Sequence, residues 1–140
     1  MRNLRFGYVI WMALLLIVLS GCSGLKRLAT DDVEWIKDRS NERWQMLMNK
    51  NWEAAYLFEL PAYRNTHDIK QYQAKFGQKI QWKTVEIGNV EILQDGRLAD
   101  VAVNVSYQFA LPDGQVVDSN KPLKERWMRQ ENEWWIVSSE

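Results

Sequence analysis

The chain has 140 residues, and its 18 Lys and Arg equal its 18 Asp and Glu, so the formal net charge is zero. This balance argues against a nucleic-acid-binding protein, which needs a basic surface to neutralise phosphates. One Cys and one His exclude an internal disulfide and cannot supply a zinc site. With 46% hydrophobic residues, the composition is that of one folded domain, for which we expect neither a metal nor another cofactor.

The N-terminus has the pattern of a secretory signal. Arg2 and Arg5 precede an uncharged stretch over residues 6–21, and small residues stand at its end. This stretch is shorter than the roughly 20 apolar residues that a spanning helix needs. The sequence LSGC over residues 19–22 resembles the bacterial lipoprotein box.

The resemblance implies that cleavage makes Cys22 the mature N-terminus, with a diacylglycerol on its thiol. Ser at position 23, rather than Asp, implies an outer-membrane protein that faces the periplasm. We therefore expect a signal peptide over residues 1–21, a tether over 22–30 and one domain over 31–140. The alternative is a free thiol at the end of an uncleaved anchor.

Helices are predicted in the first part of the domain. Asp31 and Glu34 have the spacing of a capping box and predict a helix that ends near Met48. Apolar and small residues recur in it at steps of three and four, which predicts one buried stripe. The stripe consists of Val33, Ile36, Ser40, Trp44 and Leu47.

Two shorter helices are expected to follow. Asn51 is placed to cap a helix over residues 52–59, and Pro61 ends that helix or begins a further turn. Thr66 predicts the N-cap of a third helix, and Gly77 predicts its end. The buried face of this third helix is expected to carry Ile69, Tyr72 and Phe76.

After residue 77 the hydrophobic period changes to two, which indicates strands. The first strand is expected over residues 82–93 with a bulge at Gly88-Asn89, and Asp95-Gly96 predicts a hairpin turn. In the second strand, Val101, Val103, Val105, Tyr107 and Phe109 alternate with polar or small residues. One of its faces is therefore buried.

Two more strands are expected. Asp113-Gly114 predicts a turn into a third strand over residues 116–129, interrupted at Pro122. Glu131-Asn132 predicts the turn into a final strand over residues 134–138. Helices followed by hairpin-connected strands predict an α+β domain with N-terminal helices packed on a curved antiparallel sheet.

The order and spacing of several short motifs resemble the NTF2-like superfamily, the cystatin-like α+β cone. This resemblance covers residues 31–140 and implies a small envelope protein that carries the cone behind a lipoprotein signal. The motifs are Arg43-Trp44, NWEAAY over 51–56, PAYR over 61–64, ERW over 125–127 and EWWI over 133–136.

The resemblance raises the possibility of an isomerase or dehydratase, whose acid lies inside the cone. The single His67 stands beside Asp68 at the expected start of the third helix, where adjacent side chains do not face each other. Asp100 alternates with the buried valines, so it is expected to face away from them. No nucleophile–base pair or ligand cluster appears, so we expect a protein that is not an enzyme.

Aromatic residues are abundant, with 8 Trp in the sequence. Core packing is their ordinary role, but an aromatic-walled cone is also a natural pocket for a small hydrophobic ligand. The expected pocket residues are Tyr56, Trp82, Tyr107 and Trp127. The alternative is a filled interior that holds no ligand.

The final strand carries apolar side chains on both faces. Trp134 and Ile136 point to one face and Trp135 and Val137 to the other, so the strand needs cover on both sides. We expect Trp135 to contact a second copy of the chain or another envelope protein. The sequence thus predicts a lipid-anchored, non-enzymatic interaction domain, with a carrier of small hydrophobic ligands as the alternative.

Overall fold

A computed structural model describes residues 22–76 and 80–138, so the predicted signal peptide over residues 1–21 lies outside the described part of the chain. The chain divides into two units, Met1–Asp32 and Val33–Glu140. The second unit contains the sheet and the hydrophobic core.

The first described helix, α1, runs from Cys22 to Met48. The predicted start at Asp31 is wrong, because that residue lies inside the helix. The preceding run KRLA consists of good helix formers, and no Pro interrupts it, so the helix extends to Cys22 through the predicted tether. The predicted buried stripe is confirmed: four members are buried and Val33 packs against the core. The four buried members are Ile36, Ser40, Trp44 and Leu47.

Three short helices follow: α2 (Trp52–Tyr56), α3 (Pro61–Thr66) and α4 (Ile69–Ala74). The predicted cap of α2 is confirmed, since the Asn51 side chain accepts a hydrogen bond from the Ala54 N–H at 3.3 Å. The helix proper ends three residues before the predicted Glu59. Pro61 begins α3, where a missing N–H costs no helical hydrogen bond.

The predicted N-cap of the third helix, Thr66, is wrong. Thr66 is the last residue of α3, and Asp68 caps α4. Asp68 Oδ1 accepts from the Gln71 N–H at 2.9 Å, and Gln71 Oε1 accepts from the Asp68 N–H at 2.8 Å. This reciprocal capping box satisfies two backbone donors, whereas a lone Thr would satisfy one. The predicted end of the helix, Gly77, lies outside the described residues.

The strands form one antiparallel sheet in the order β1-β2-β3-β4. The predicted bulge is confirmed, because Gly88 and Asn89 stand between the pairs Ile87–Val103 and Val90–Val101. The predicted hairpin turns are also confirmed, with Gly96 and Gly114 at positive φ. The strands are β1 (Ile80–Leu93), β2 (Leu98–Ala110), β3 (Val116–Gln130) and β4 (Glu133–Ile136).

The predicted interruption of the third strand at Pro122 is wrong, since β3 passes through it in register with Asn104 of β2. In the described chain, β4 pairs with β3 only over residues 127–130, so Pro122 lies on an edge of the sheet. A strand tolerates Pro where the missing N–H would point away from the neighbouring strand. The inward–outward alternation therefore continues along the whole of β3.

The helices pack against one face of the open sheet, the inner face. This face carries buried side chains from β2, while the segment 58–60 extends the sheet beyond β4. Ile136 N–H donates to the Phe58 carbonyl at 2.9 Å, and Leu60 N–H donates to the Ile136 carbonyl at 3.2 Å. The buried inner-face residues of β2 are Ala99, Val101, Val103 and Val105. The predicted α+β class, with helices on an antiparallel sheet, is confirmed.

Candidate functional site

A cavity of about 270 Å³ opens on the inner face, at the end of the sheet beside α4. We call it the α4 pocket. Aromatic and aliphatic side chains form most of its wall, and two lysines complete it. The lining residues are Lys75, Phe76, Ile80, Trp82, Val105, Tyr107, Lys121 and Leu123.

Strand register explains why these side chains meet. Trp82 of β1 pairs with Tyr107 of β2, and Val105 of β2 pairs with Lys121 of β3. Paired residues of neighbouring strands point to the same face of a sheet, and residues two apart on one strand share that face. Leu123 thus stands beside Lys121 on the inner face. The end of α4 supplies the remaining wall.

Aromatic contacts connect the walls of the α4 pocket to the core. The Trp82 ring lies edge-on to Tyr107, with centroids 5.9 Å apart, and edge-on to Trp44 at 5.5 Å. Phe76 contacts the buried Tyr72 at 5.0 Å. The pocket wall is therefore held by residues of α1 and α4 that are themselves packed in the core.

Two of the four predicted pocket residues, Trp82 and Tyr107, line the α4 pocket, and two do not. Trp127 is fully buried, and its indole N–H donates to Glu125. The Tyr56 hydroxyl donates to backbone carbonyls of the α3–α4 connection, at 3.1 Å from Arg64 O and 2.5 Å from His67 O. Both side chains therefore serve the packing of the domain.

Next to the pocket wall lies a buried ionic cluster centred on Glu125. Its Oε1 accepts from Arg43 Nη1 and Trp44 Nε1, each at 2.8 Å. Its Oε2 accepts from Ser40 Oγ at 2.7 Å and from Trp127 Nε1 at 3.1 Å. Three of these donors come from α1, so the carboxylate fixes that helix to β3. Four donors on one buried carboxylate indicate a structural role.

A second carboxyl group, that of Glu59, lies on the other side of Arg43. Its Oε1 is 3.8 Å from Arg43 Nη2 and accepts from Ser138 Oγ at 2.9 Å. Burial raises the pKa of Glu59, and the nearby Arg43 opposes this only in part. Burial also raises the pKa of the neighbouring Tyr72 to about 12, so this phenol stays neutral at physiological pH.

Arg43 itself stays charged between the two carboxyl groups. Burial alone would lower its pKa, but Glu125, Tyr72 and Glu59 together raise it above the ordinary value. The cluster therefore pairs a permanent cation with Glu125 at 2.8 Å and with Glu59 at 3.8 Å. The side chain of Glu59 is fully buried, and neither carboxyl group lines the α4 pocket.

His67 does not stand at a helix start, as predicted, but follows the end of α3. Its ring stacks on Tyr63 with centroids 4.1 Å apart and an interplanar angle of 5°. Its Nδ1 lies 2.9 Å from Thr66 Oγ1. These contacts, like the Tyr56 hydrogen bond to the His67 carbonyl, hold the α3–α4 connection in place.

The outer face of the sheet carries Asp100, which faces away from the buried valines as predicted. Its carboxylate nevertheless is buried, because Arg126 binds it in a bidentate pair at 2.8 and 3.0 Å and Lys124 lies at 2.7 Å. The hydrogen bonds from Arg126 lower the pKa of Asp100 to about 2. Asp100 is therefore an ionised, paired carboxylate with a structural role.

Trp135 lies on the outer side of β4, opposite the buried Trp134, as predicted from the alternation. It is half-buried and pairs in register with Met128, whose side chain is 37% exposed. The guanidinium groups of Arg39 and Arg64 lie 5.8 and 5.3 Å from the Trp135 ring. Cation–π contacts thus cover part of the surface predicted to bind a partner.

The described residues contain no group of three His, Cys, Asp or Glu side chains placed to hold a metal ion. Among the same residues, none of the helices combines the length and the apolar character that a membrane span requires.

Sequence reasoning missed the two lysines of the α4 pocket and the buried role of Glu125. The signal for Lys121 and Glu125 was present in β3, where Lys121, Leu123, Glu125 and Trp127 lie on one face by alternation. The expected interruption at Pro122 hid this alternation. Lys75 and Phe76 follow the end of α4, and no periodic pattern of strands could have placed them beside β3.

Comparison with known proteins bears on the fold alone. No protein-family model and no curated protein matches the chain. A solved structure that it resembles is a SEC-C motif containing protein from Rhodopseudomonas palustris, with a TM-score of 0.55 and 10% sequence identity. The match covers 70% of this chain and 71% of that one. It supports the α+β architecture.

Proposed function

We propose that this chain is a lipid-anchored, non-enzymatic binding protein of the bacterial cell envelope. Acylated Cys22 holds it at the outer membrane, on the periplasmic side. The domain over residues 31–140 is an NTF2-like cone that takes a small apolar ligand in the α4 pocket. The observation that carries the proposal is the cavity of about 270 Å³ with aromatic walls on the inner face of the sheet.

The size and lining of the α4 pocket support a small ligand. Pockets for drug-sized molecules measure about 300–1,000 Å³ and are mostly apolar with a few polar groups. This cavity lies just below that range and has the same mixture of walls. A ligand with one ring or a short chain therefore suits it better than a lipid with two acyl chains.

The placement of the acids supports binding without catalysis. A general acid or base must reach the reacting atom of its substrate. Glu125 accepts four hydrogen bonds within the buried ionic cluster, and Glu59 is fully buried beside Arg43. Among the described lining residues of the pocket there is no carboxylate and no His.

The anchor is tested by the intact mass of the protein purified from membranes of cells that express the full chain. We expect the mass of a chain that begins at Cys22 and carries two or three acyl groups. A full-length chain with a free thiol would refute the lipid anchor and the outer-membrane location, and would leave the binding function to be judged separately.

Ligand binding is tested with 4-phenylbutyramide, a neutral probe with one ring and a short chain. We expect saturable binding, measured by calorimetry, to the full-chain product in phosphatidylcholine nanodiscs. Leu123→Phe fills the pocket and abolishes the signal, whereas Leu57→Phe adds the same bulk at an exposed site outside it and does not. Equal binding by both variants would place the probe elsewhere.

A second candidate function is self-association through the outer face of the sheet. The exposed Met128 beside Trp135 favours it, because adjacent apolar side chains on an antiparallel sheet form a small contact surface. Such a dimer is compatible with ligand binding, since the α4 pocket opens on the other face.

A further inference from the structure

We infer that the α4 pocket selects small amphipathic anions, in which one carboxylate or similar group is attached to an apolar body. This inference rests on the proposed binding function and adds the charge of the ligand. The observation behind it is that the lining contains two lysines, Lys75 and Lys121. No Asp or Glu is among its described residues.

Lys121 occupies a position that the fold would ordinarily give to an apolar residue. It pairs with the fully buried Val105 and shares the inner face with Leu123 and Trp127. The residue is exposed and also lines the α4 pocket, as a long side chain with an apolar stem and a charged end can do. A cation is thus placed at the mouth of an apolar cavity.

Lys75 supplies the second positive charge from the end of α4. Its Nζ lies 4.6 Å from the centre of the Tyr63 ring, a cation–π contact that fixes where the ammonium group stands. The positive charge of Lys75 also acts on the buried carboxyl group of Glu59, where it lowers the pKa against the larger effect of burial. Both Lys75 and Lys121 line the α4 pocket, so a carboxylate bound there is attracted by two positive charges.

The apolar end of the ligand is expected to lie against Trp82, Phe76 and Leu123. The negative end would remain at the mouth, where the lysines are partly solvated, so its attraction is that of a surface ion pair. We therefore expect an anion to bind about five- to tenfold more tightly than a neutral molecule of the same shape.

The experiment compares 4-phenylbutyrate with 4-phenylbutyramide, which have equal numbers of heavy atoms. Both are titrated by calorimetry into the full-chain product in phosphatidylcholine nanodiscs. We expect the butyrate to bind five- to tenfold more tightly. Lys121→Gln is expected to reduce this ratio, measured within the same variant, to about twofold.

Lys124→Gln is the matched control, because it removes the same charge three residues away on the outer face. It is expected to retain the ratio of the wild type. If the amide binds and the butyrate binds no better, the inference is wrong and the proposed function stands. If neither probe binds, both are wrong.

The positive charges of Lys75 and Lys121 also suit an anionic lipid head group. The titration is therefore repeated in nanodiscs of phosphatidylglycerol, an anionic lipid. For a site that takes a small free anion, the preference for butyrate persists and still depends on Lys121. Loss of butyrate binding there would assign the lysines to the membrane surface and overturn the inference.

Discussion

The buried carboxylate of Glu125 is the part of this fold whose removal has the most predictable cost. In Glu125→Gln the carbonyl oxygen can accept two of the four hydrogen bonds, and the new amide group faces the other two donors. On the Oε1 side those donors are Arg43 and Trp44, and on the Oε2 side they are Ser40 and Trp127. The Ser hydroxyl can rotate to accept, but an indole N–H cannot.

Either orientation of the amide therefore leaves at least one buried indole donor facing another donor. The substitution also leaves Arg43 with Glu59 as its remaining carboxyl partner in the cluster, at 3.8 Å. Breaking a buried ion pair by removing one partner costs about 3–5 kcal/mol. For a domain of this size, a loss of that magnitude lowers Tm by about 12–20 °C.

The assay is urea-dependent pulse proteolysis of the detergent-solubilised protein, which reports the folded fraction. Glu133→Gln is the matched control, because its carboxylate is 47% exposed and lies 3.4 Å from Arg39. An exposed pair of this kind contributes at most about 1 kcal/mol. A Glu125→Gln protein within 1 kcal/mol of the wild type would refute the structural role given to the cluster.

Three further predictions concern other parts of the domain. Because burial raises the pKa of Glu59 above 4.5, the folded state holds that proton more tightly, and stability falls as pH rises from 4.5 to the raised value. Glu59→Gln lacks this titration, so its free energy of unfolding in urea should rise relative to that of the wild type across the same pH interval. A difference between the two proteins that does not change with pH would contradict the prediction. Asp100→Asn should lower the free energy of unfolding by about 1 kcal/mol at pH 7, a small loss because Arg126 is half-exposed. This loss should disappear as the pH falls from 3.8 through about 2, where Asp100 itself becomes protonated. A loss of the same size in acid would count against the ion pair. Trp135→Glu should reduce the size measured by light scattering if the outer face forms a dimer, and an unchanged dimer would exclude that face.

Much of the sheet could be predicted from the sequence, because alternation with period two survives in any strand with one buried face. The valines of β2 fixed its inner face, and Gly88-Asn89 marked the bulge in β1. The interruption predicted at Pro122 is wrong because a proline disrupts a strand only where its missing N–H would face a neighbouring strand. Which side of β3 has a neighbour depends on the order of the strands in the sheet. The sequence alone does not reveal an edge.

Helix ends were predicted less well, since competing caps differ by small free energies. Thr66 and Asp68 are both good N-cap residues, and the choice depended on Gln71 three positions after Asp68. Two of the four predicted pocket residues line the α4 pocket, and the difference again depends on how well each residue could be placed. Trp82 and Tyr107 lie on adjacent strands, whereas Tyr56 was assigned by its aromatic character without a partner to place it.

The central claim, that the α4 pocket binds a small ligand, is tested most directly by ¹⁹F NMR of the protein labelled with 5-fluorotryptophan. Trp82→Phe assigns the pocket signal, and Trp135 on the outer face provides an internal control. Addition of 4-phenylbutyrate is predicted to shift the Trp82 signal saturably while the Trp135 signal stays in place. A Trp82 signal that does not move, or a shift confined to Trp135, would contradict the claim.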